Sequence, residues 1–192
     1  MHRLVRAEPK RNQPVLALPH EIGRLAARIG FGTTETVNVV VVGGSASNVG
    51  KTTLAARLVR EHAARTPTVA MKVSVREKPC ETTVRTLRPG EEPEHRRDTG
   101  TLLGAGAQCV VWVTVHRPAV RTGLALGLAT ARRLRPATIV VESTSAGIEL
   151  RRIDDSWFVA GEGEWKPWAD RHRARADHVV RSDDVFDPAV AR

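Results

Sequence analysis

Residues 41–54, VVGGSASNVGKTTL, hold the residue types with the most definite chemistry in the chain. Gly50, Lys51 and Thr52 supply the second half of the phosphate-binding pattern G-x-x-x-x-G-K-[ST]. A loop of this kind, between a strand and a helix, turns successive backbone N–H groups onto phosphate oxygens, and the helix dipole assists them. The residues expected to hold a nucleoside triphosphate are Ser47, Asn48, Val49, Gly50, Lys51, Thr52 and Thr53. Lys51 should reach the β- and γ-phosphates and the Thr52 hydroxyl should ligate Mg2+. Gly50 should let the backbone pass where a Cβ would clash. Ser45 stands where the pattern has its first glycine. Gly43 and Gly44 give the chain its freedom one residue earlier, so a working loop is still expected.

Three further residues carry charge where the pattern expects apolar strand or helix start. Glu142 ends the run ATIVVE, and a carboxylate at the C-terminal end of a buried strand is placed to hold Mg2+ or to orient a nucleophile. Asp98 opens DTGTLLGAGA. It reads equally as a helix N-cap and as a contact to Mg2+ or substrate. Lys72 lies inside AMKVSV, where a buried ammonium is costly unless it reaches an anion. The expected catalytic set is Lys51, Glu142 and Asp98. The expected metal set is Thr52, Glu142 and Asp98, with Lys72 on the nucleotide. Ser143, Thr144 and Ser145 are either turn residues or phosphate contacts. The histidines show no triad or metal spacing, and Trp157, Trp165 and Trp168 are expected to pack near the late strand.

These residues need strands and helices to bring them together. VNVVVV (37–42) is a β-branched run suited to a strand buried on both faces. A helix should follow from Gly50 to about Arg65 with Leu54, Leu58 and Val59 inward. Further strands are expected at 68–75, 108–115, 137–142, 155–161 and 176–182. Helices are expected at 98–107 and after Pro118, with Val120, Leu124 and Leu128 on one face. Residues 76–97 show no sustained periodicity and read as a long loop, either a substrate lid or a solvated segment. The alternation predicts an α/β fold of three layers with a mostly parallel central sheet. Residues 36–192 form its P-loop NTPase domain, and residues 1–35 form an extension with one short helix around Ile22, Leu25, Ala26 and Ile29.

A chain of 192 residues is enough for one sizeable core. The net charge of +9 invites a nucleic-acid reading, but the basic residues are scattered and aromatic residues make up only 4%, leaving few stacking platforms. Nucleic acid is therefore not an expected partner. No apolar run reaches the roughly 18 residues of a membrane span. Cys80 and Cys109 cannot build a disulfide framework, and a cytoplasmic protein is expected.

Taken together, VVVVGGSASNVGKTTLAARL, VAMKVS, DTGTLLGAGAQCVVWV and IVVES resemble the molybdopterin-guanine dinucleotide biosynthesis protein B family of P-loop proteins. VGKT is also similar to dethiobiotin synthetase and its relatives. The resemblance spans roughly residues 37–145 and falls on Gly50, Lys51, Thr52, Asp98, Glu142 and Lys72. It implies binding of GTP or ATP with Mg2+, weak hydrolysis, a role in cofactor biosynthesis and often a homodimer. The family's histidine-bearing segment after the lysine strand is replaced here by MKVSVREKPC, its glycine after the glutamate by ESTS, and no N-K-x-D guanine signature is present. Two other readings remain. One is a kinase that moves the γ-phosphoryl group to a small-molecule acceptor beneath a lid. The other is a nucleotide-dependent switch that docks a partner enzyme, although GGSAS lacks the early lysine of partition-type ATPases.

Overall fold

A computed structural model describes residues 36–91 and 97–186. The expected extension 1–35 and its helix lie outside the described residues, as does most of the charged end of the 76–97 segment. In chain order the elements are β1 (Asn38–Gly44), α1 (Lys51–Ala63), β2 (Thr68–Arg76), β3 (Thr83–Leu87), α2 (Arg97–Gly104), β4 (Val110–His116), a 3-10 turn (Arg117–Ala119), α3 (Val120–Arg133), β5 (Thr138–Glu142), α4 (Thr144–Glu149), β6 (Asp155–Ala160), α5 (Ala169–Arg173), β7 (His178–Arg181) and α6 (Ser182–Phe186). The strands form one sheet in the order β3-β4-β2-β5-β1-β6-β7. Every described pairing is parallel except β3 on β4. This is the mostly parallel α/β sheet of a P-loop NTPase-like fold.

The valine run of β1 shows why the middle strands are apolar throughout. Val40 and Val42 enter one core with Leu54, Leu58 and Val59 of α1 and Leu102 of α2. Val39 and Val41 enter the other with Val120, Leu124 and Leu128 of α3. Successive side chains on a strand face opposite sides, so a strand covered on both faces is apolar along most of its length. The expected inward residues of α1 and α3 are all buried.

Three local departures have physical causes. Residues 83–87, expected within a loop, form the antiparallel edge strand β3, with only Leu87 buried. Such a strand needs no apolar run, and Val84 and Leu87 anchor it to opposite cores. The helix expected at 98–107 runs from Arg97 to Gly104, because Gly106 adopts φ +103° and ends it. Helices α4, α5 and α6 were not expected. At five or six residues each they are too short to show a period.

Candidate active site

Parallel strands deliver their C-terminal ends to one edge of the sheet, and the charged residues collect there. Register fixes two of them: Lys72 on β2 and Val42 on β1 both lie opposite Glu142 on β5. β1 runs two residues further to Gly44 and turns into the loop. Asn48 (φ 59°) and Gly50 (φ 94°) both adopt left-handed backbone, and Gly50 precedes α1 with no side chain capping the helix. The first N–H groups of α1 therefore face the cleft without a side-chain acceptor, which is the arrangement that receives an anion. A Cβ on Gly50 would come within 3.1 Å of Val185 and 3.3 Å of Phe186.

Ser45 is a strut. It is fully buried, and its hydroxyl accepts a hydrogen bond of 2.9 Å from the Gly161 N–H. Its own N–H donates to Val159 O, and its carbonyl accepts from the Lys166 N–H at 2.9 Å. The serine thus ties the start of the loop to the segment after β6. From the other side, the Thr144 hydroxyl accepts from Gly44 N–H (3.1 Å) and donates to Gly44 O (3.0 Å). The Ser182 hydroxyl donates to Val49 O at 3.0 Å. The loop is held from three directions.

Glu142 is the hub of the polar side chains. It is buried, at 6% exposure, and accepts 2.9 Å from the Thr52 hydroxyl and 3.0 and 3.1 Å from the Lys72 ammonium. Lys72 also pairs with Asp98 at 2.7 Å. The anion that makes a lysine tolerable in β2 is therefore this carboxylate pair. Asp98 does not serve as the N-cap. It lies in the first turn after Arg97, half exposed beside the cleft. The Lys51 ammonium donates to Ala46 O across the loop. Burial, reinforced by the nearby Lys166 ammonium, lowers the Lys51 pKa from its usual 10.5 to about 8.

A second group faces the loop across the same cleft. Glu77 follows β2, and accepts hydrogen bonds from Arg117 Nε at 2.9 and 2.8 Å. The Arg117 guanidinium lies 3.6 Å above the Trp168 ring. The hydrogen bonds from Arg117 hold the Glu77 carboxyl below its usual pKa, against a smaller upward push from desolvation. Lys166 is half-buried between these residues and the loop, and desolvation followed by repulsion from Arg117 lowers its pKa. The cleft has a volume of about 570 Å³.

Of the expected site residues, Ser47, Asn48, Gly50, Lys51, Thr52, Thr53, Lys72, Asp98 and Glu142 line this one cleft, with Ser143, Thr144 and Ser145. The Val49 side chain does not. It is buried behind the loop, where a Cβ on Gly161 would meet it at 2.3 Å, so only its backbone can serve a ligand. Ser143 acts as the N-cap of α4, accepting from Ala146 N–H. Trp157 stacks on His178 and Trp165 packs on Phe158, as expected near the late strands. Trp168 instead lines the cleft. Arg117, Lys166 and Phe186 also line it and were not singled out. Arg117 and Lys166 lie in connections and Phe186 at the end of α6, all far from the loop in sequence, and no local spacing marks them.

No protein-family model matches the chain, and no curated protein matches it significantly. Among solved structures, the "apo" form of LpxK from Aquifex aeolicus in complex with ATP is similar over 80% of this chain and 50% of its own, with a TM-score of 0.55 and 16% sequence identity. The chain spans about half the length of that protein. At this identity the likeness is one of fold, and it agrees with the P-loop NTPase-like sheet described above.

Proposed function

We propose that the chain is a Mg2+-dependent phosphotransferase that binds ATP or GTP on the 45–53 loop and moves the γ-phosphoryl group to a small-molecule acceptor. One observation carries the reading: the uncapped start of α1, with Lys51 and Thr52, faces the linked array Thr52–Glu142–Lys72–Asp98. The site fits Mg2+ chemically, since the Thr52 hydroxyl and the Glu142 carboxylate are hard oxygen donors 2.9 Å apart. When bound, the cation would neutralise charge on the β- and γ-phosphate oxygens.

The chain's own residues divide the remaining work. Lys51 leaves its carbonyl partner for the phosphates, and Glu142 keeps the Thr52 hydroxyl oriented. An acceptor oxygen attacks the γ-phosphorus while the bond from that phosphorus to the β–γ bridging oxygen breaks. The electron pair leaves with the nucleoside diphosphate, and the acceptor proton passes through Asp98 to solvent. Hydrolysis is the same step with water as acceptor, and the resemblance to the molybdopterin-guanine dinucleotide biosynthesis protein B family supports that variant. The cleft extends past the loop to Glu77, Arg117 and Trp168, which supports a larger acceptor. Nucleoside diphosphate release with Mg2+ should fall roughly 100-fold in Glu142→Gln, a loss of the size seen when one charge-stabilising group is removed. Unchanged release would contradict the assignment.

A further inference from the structure

Lys166 makes no hydrogen bond or ion pair through its ammonium among the described residues, although it is half-buried and lines the cleft. A cation withdrawn from water without a bound carboxylate is unfavourable until an anion joins it. Its position is also fixed, because its backbone N–H donates 2.9 Å to Ser45 O and so joins it to the phosphate loop. Arg117 approaches from the end of β4. Glu77 engages its Nε and one Nη, and Trp168 covers one face, so its orientation is set while its other face and remaining N–H groups are not used by those two contacts. The two cations are near enough to depress the Lys166 amine.

We propose that Lys166 and Arg117 form the acceptor subsite of the cleft, and that it takes a small molecule carrying its own phosphate or carboxylate group. The proposal rests on the nucleotide reading for its role as acceptor site, but not for the anion binding itself. Two positive groups from different connections, β4–α3 and β6–α5, converge on a space bounded by the loop, and among the described residues Glu77 is the carboxylate that offsets them. A guanidinium held 3.6 Å above an indole and gripped by Glu77 is a pre-oriented, planar donor, which favours phosphate and carboxylate over a neutral hydroxyl. Lys166 lines the same cleft as Arg117 and Lys51 and its backbone is bonded to Ser45, so an acceptor anchored there would be beside the phosphate loop. A neutral sugar or polyol would leave the Lys166 charge unanswered.

The test uses the full chain and inorganic phosphate as probe, titrated by calorimetry with Mg2+ and a saturating non-hydrolysable nucleotide analogue. Phosphate should bind the wild type, and glycerol should not. Lys166→Gln and Arg117→Gln should each weaken phosphate binding at least tenfold, while analogue affinity stays within about threefold and Lys166→Arg recovers most of the loss. Thermal melting of each variant identifies any that fails to fold, and the Lys166→Arg comparison then stands in its place. Phosphate binding should also persist in Lys51→Ala, where the nucleotide loop is disabled. If the analogue fails to bind the wild type while Lys166-dependent phosphate binding remains, the nucleotide reading fails and the anion site stands. If Lys166→Gln lowers analogue affinity and leaves phosphate binding unchanged, Lys166 is a nucleotide ligand and the acceptor subsite is overturned. Absence of phosphate binding in the wild type also overturns it.

Discussion

Ser45 shows how far one residue's type can mislead when its contacts are unknown. By pattern it is a lost glycine, but in the fold it receives the Gly161 N–H and ties the loop to the segment carrying Lys166. Ser45→Gly would restore the usual pattern and should nevertheless destabilise the protein. Leaving a buried N–H unpaired and adding a flexible glycine costs about 2 kcal/mol. That corresponds to a melting temperature lower by about 5 °C for a domain of this size. A melt unchanged or raised would contradict the strut. Lys51 supplies a second residue-scale prediction. Its amine, lowered to about 8, is largely neutral at pH 9 in the free protein. Phosphates bound beside it favour the charged form, so nucleotide binding at pH 9 should take up protons and weaken as pH rises further. Calorimetry in buffers of different ionisation enthalpy reads this directly; no uptake would mean that Lys51 does not meet the phosphates.

At the scale of elements, β1, α4 and α5 meet around one buried side chain. His172 of α5 is fully buried, its Nε2 lies 3.0 Å from the Ser156 hydroxyl, and its Nδ1 has no partner among the described residues. A Cβ on Gly43 or on Gly147 would sit 2.1 Å from its ring, so both glycines are required for this close approach. Burial, then the nearby Arg175, lowers the His172 pKa from 6.5 to about 4. The unfolded chain binds this proton below pH 6.5 and the fold does not until about pH 4. Its contribution to stability is thus complete above 6.5 and lost as pH falls toward 4, about 3 kcal/mol in all. Denaturant titrations between pH 7 and 4 should show that slope, and His172→Leu should flatten it; an identical slope in the variant would place the proton elsewhere.

The same elements show what the sequence could convey. Both-face burial wrote β1, β2, β4 and β5 as β-branched runs, and the 3.6-residue period wrote α1 and α3. Glu142 and Lys72 stood out because charge in such a run needs a partner, and they proved to be each other's partner. β3 was hidden because a half-exposed edge strand requires only Val84 and Leu87. Arg117, Lys166 and Trp168 were hidden because two connections, β4–α3 and β6–α5, bring them together, and connections carry no period.

Across the whole molecule, one edge of one sheet gathers the loop, the carboxylate hub and the second cationic group into a single cleft of about 570 Å³. Binding there joins β1, β2, β4, β5 and the β6–α5 connection, so a ligand should stabilise the fold as a unit. A nucleotide analogue at 100 times its dissociation constant adds about 2.7 kcal/mol. That should raise the melting temperature by about 8 °C. The most direct test is calorimetric titration of the protein with non-hydrolysable ATP and GTP analogues and Mg2+, beside Lys51→Ala. Binding of one analogue near one per chain, lost in the variant, is the predicted result and also identifies the base. Failure of both analogues to bind the wild type, or equal binding to Lys51→Ala, would show that the loop does not hold a nucleoside triphosphate.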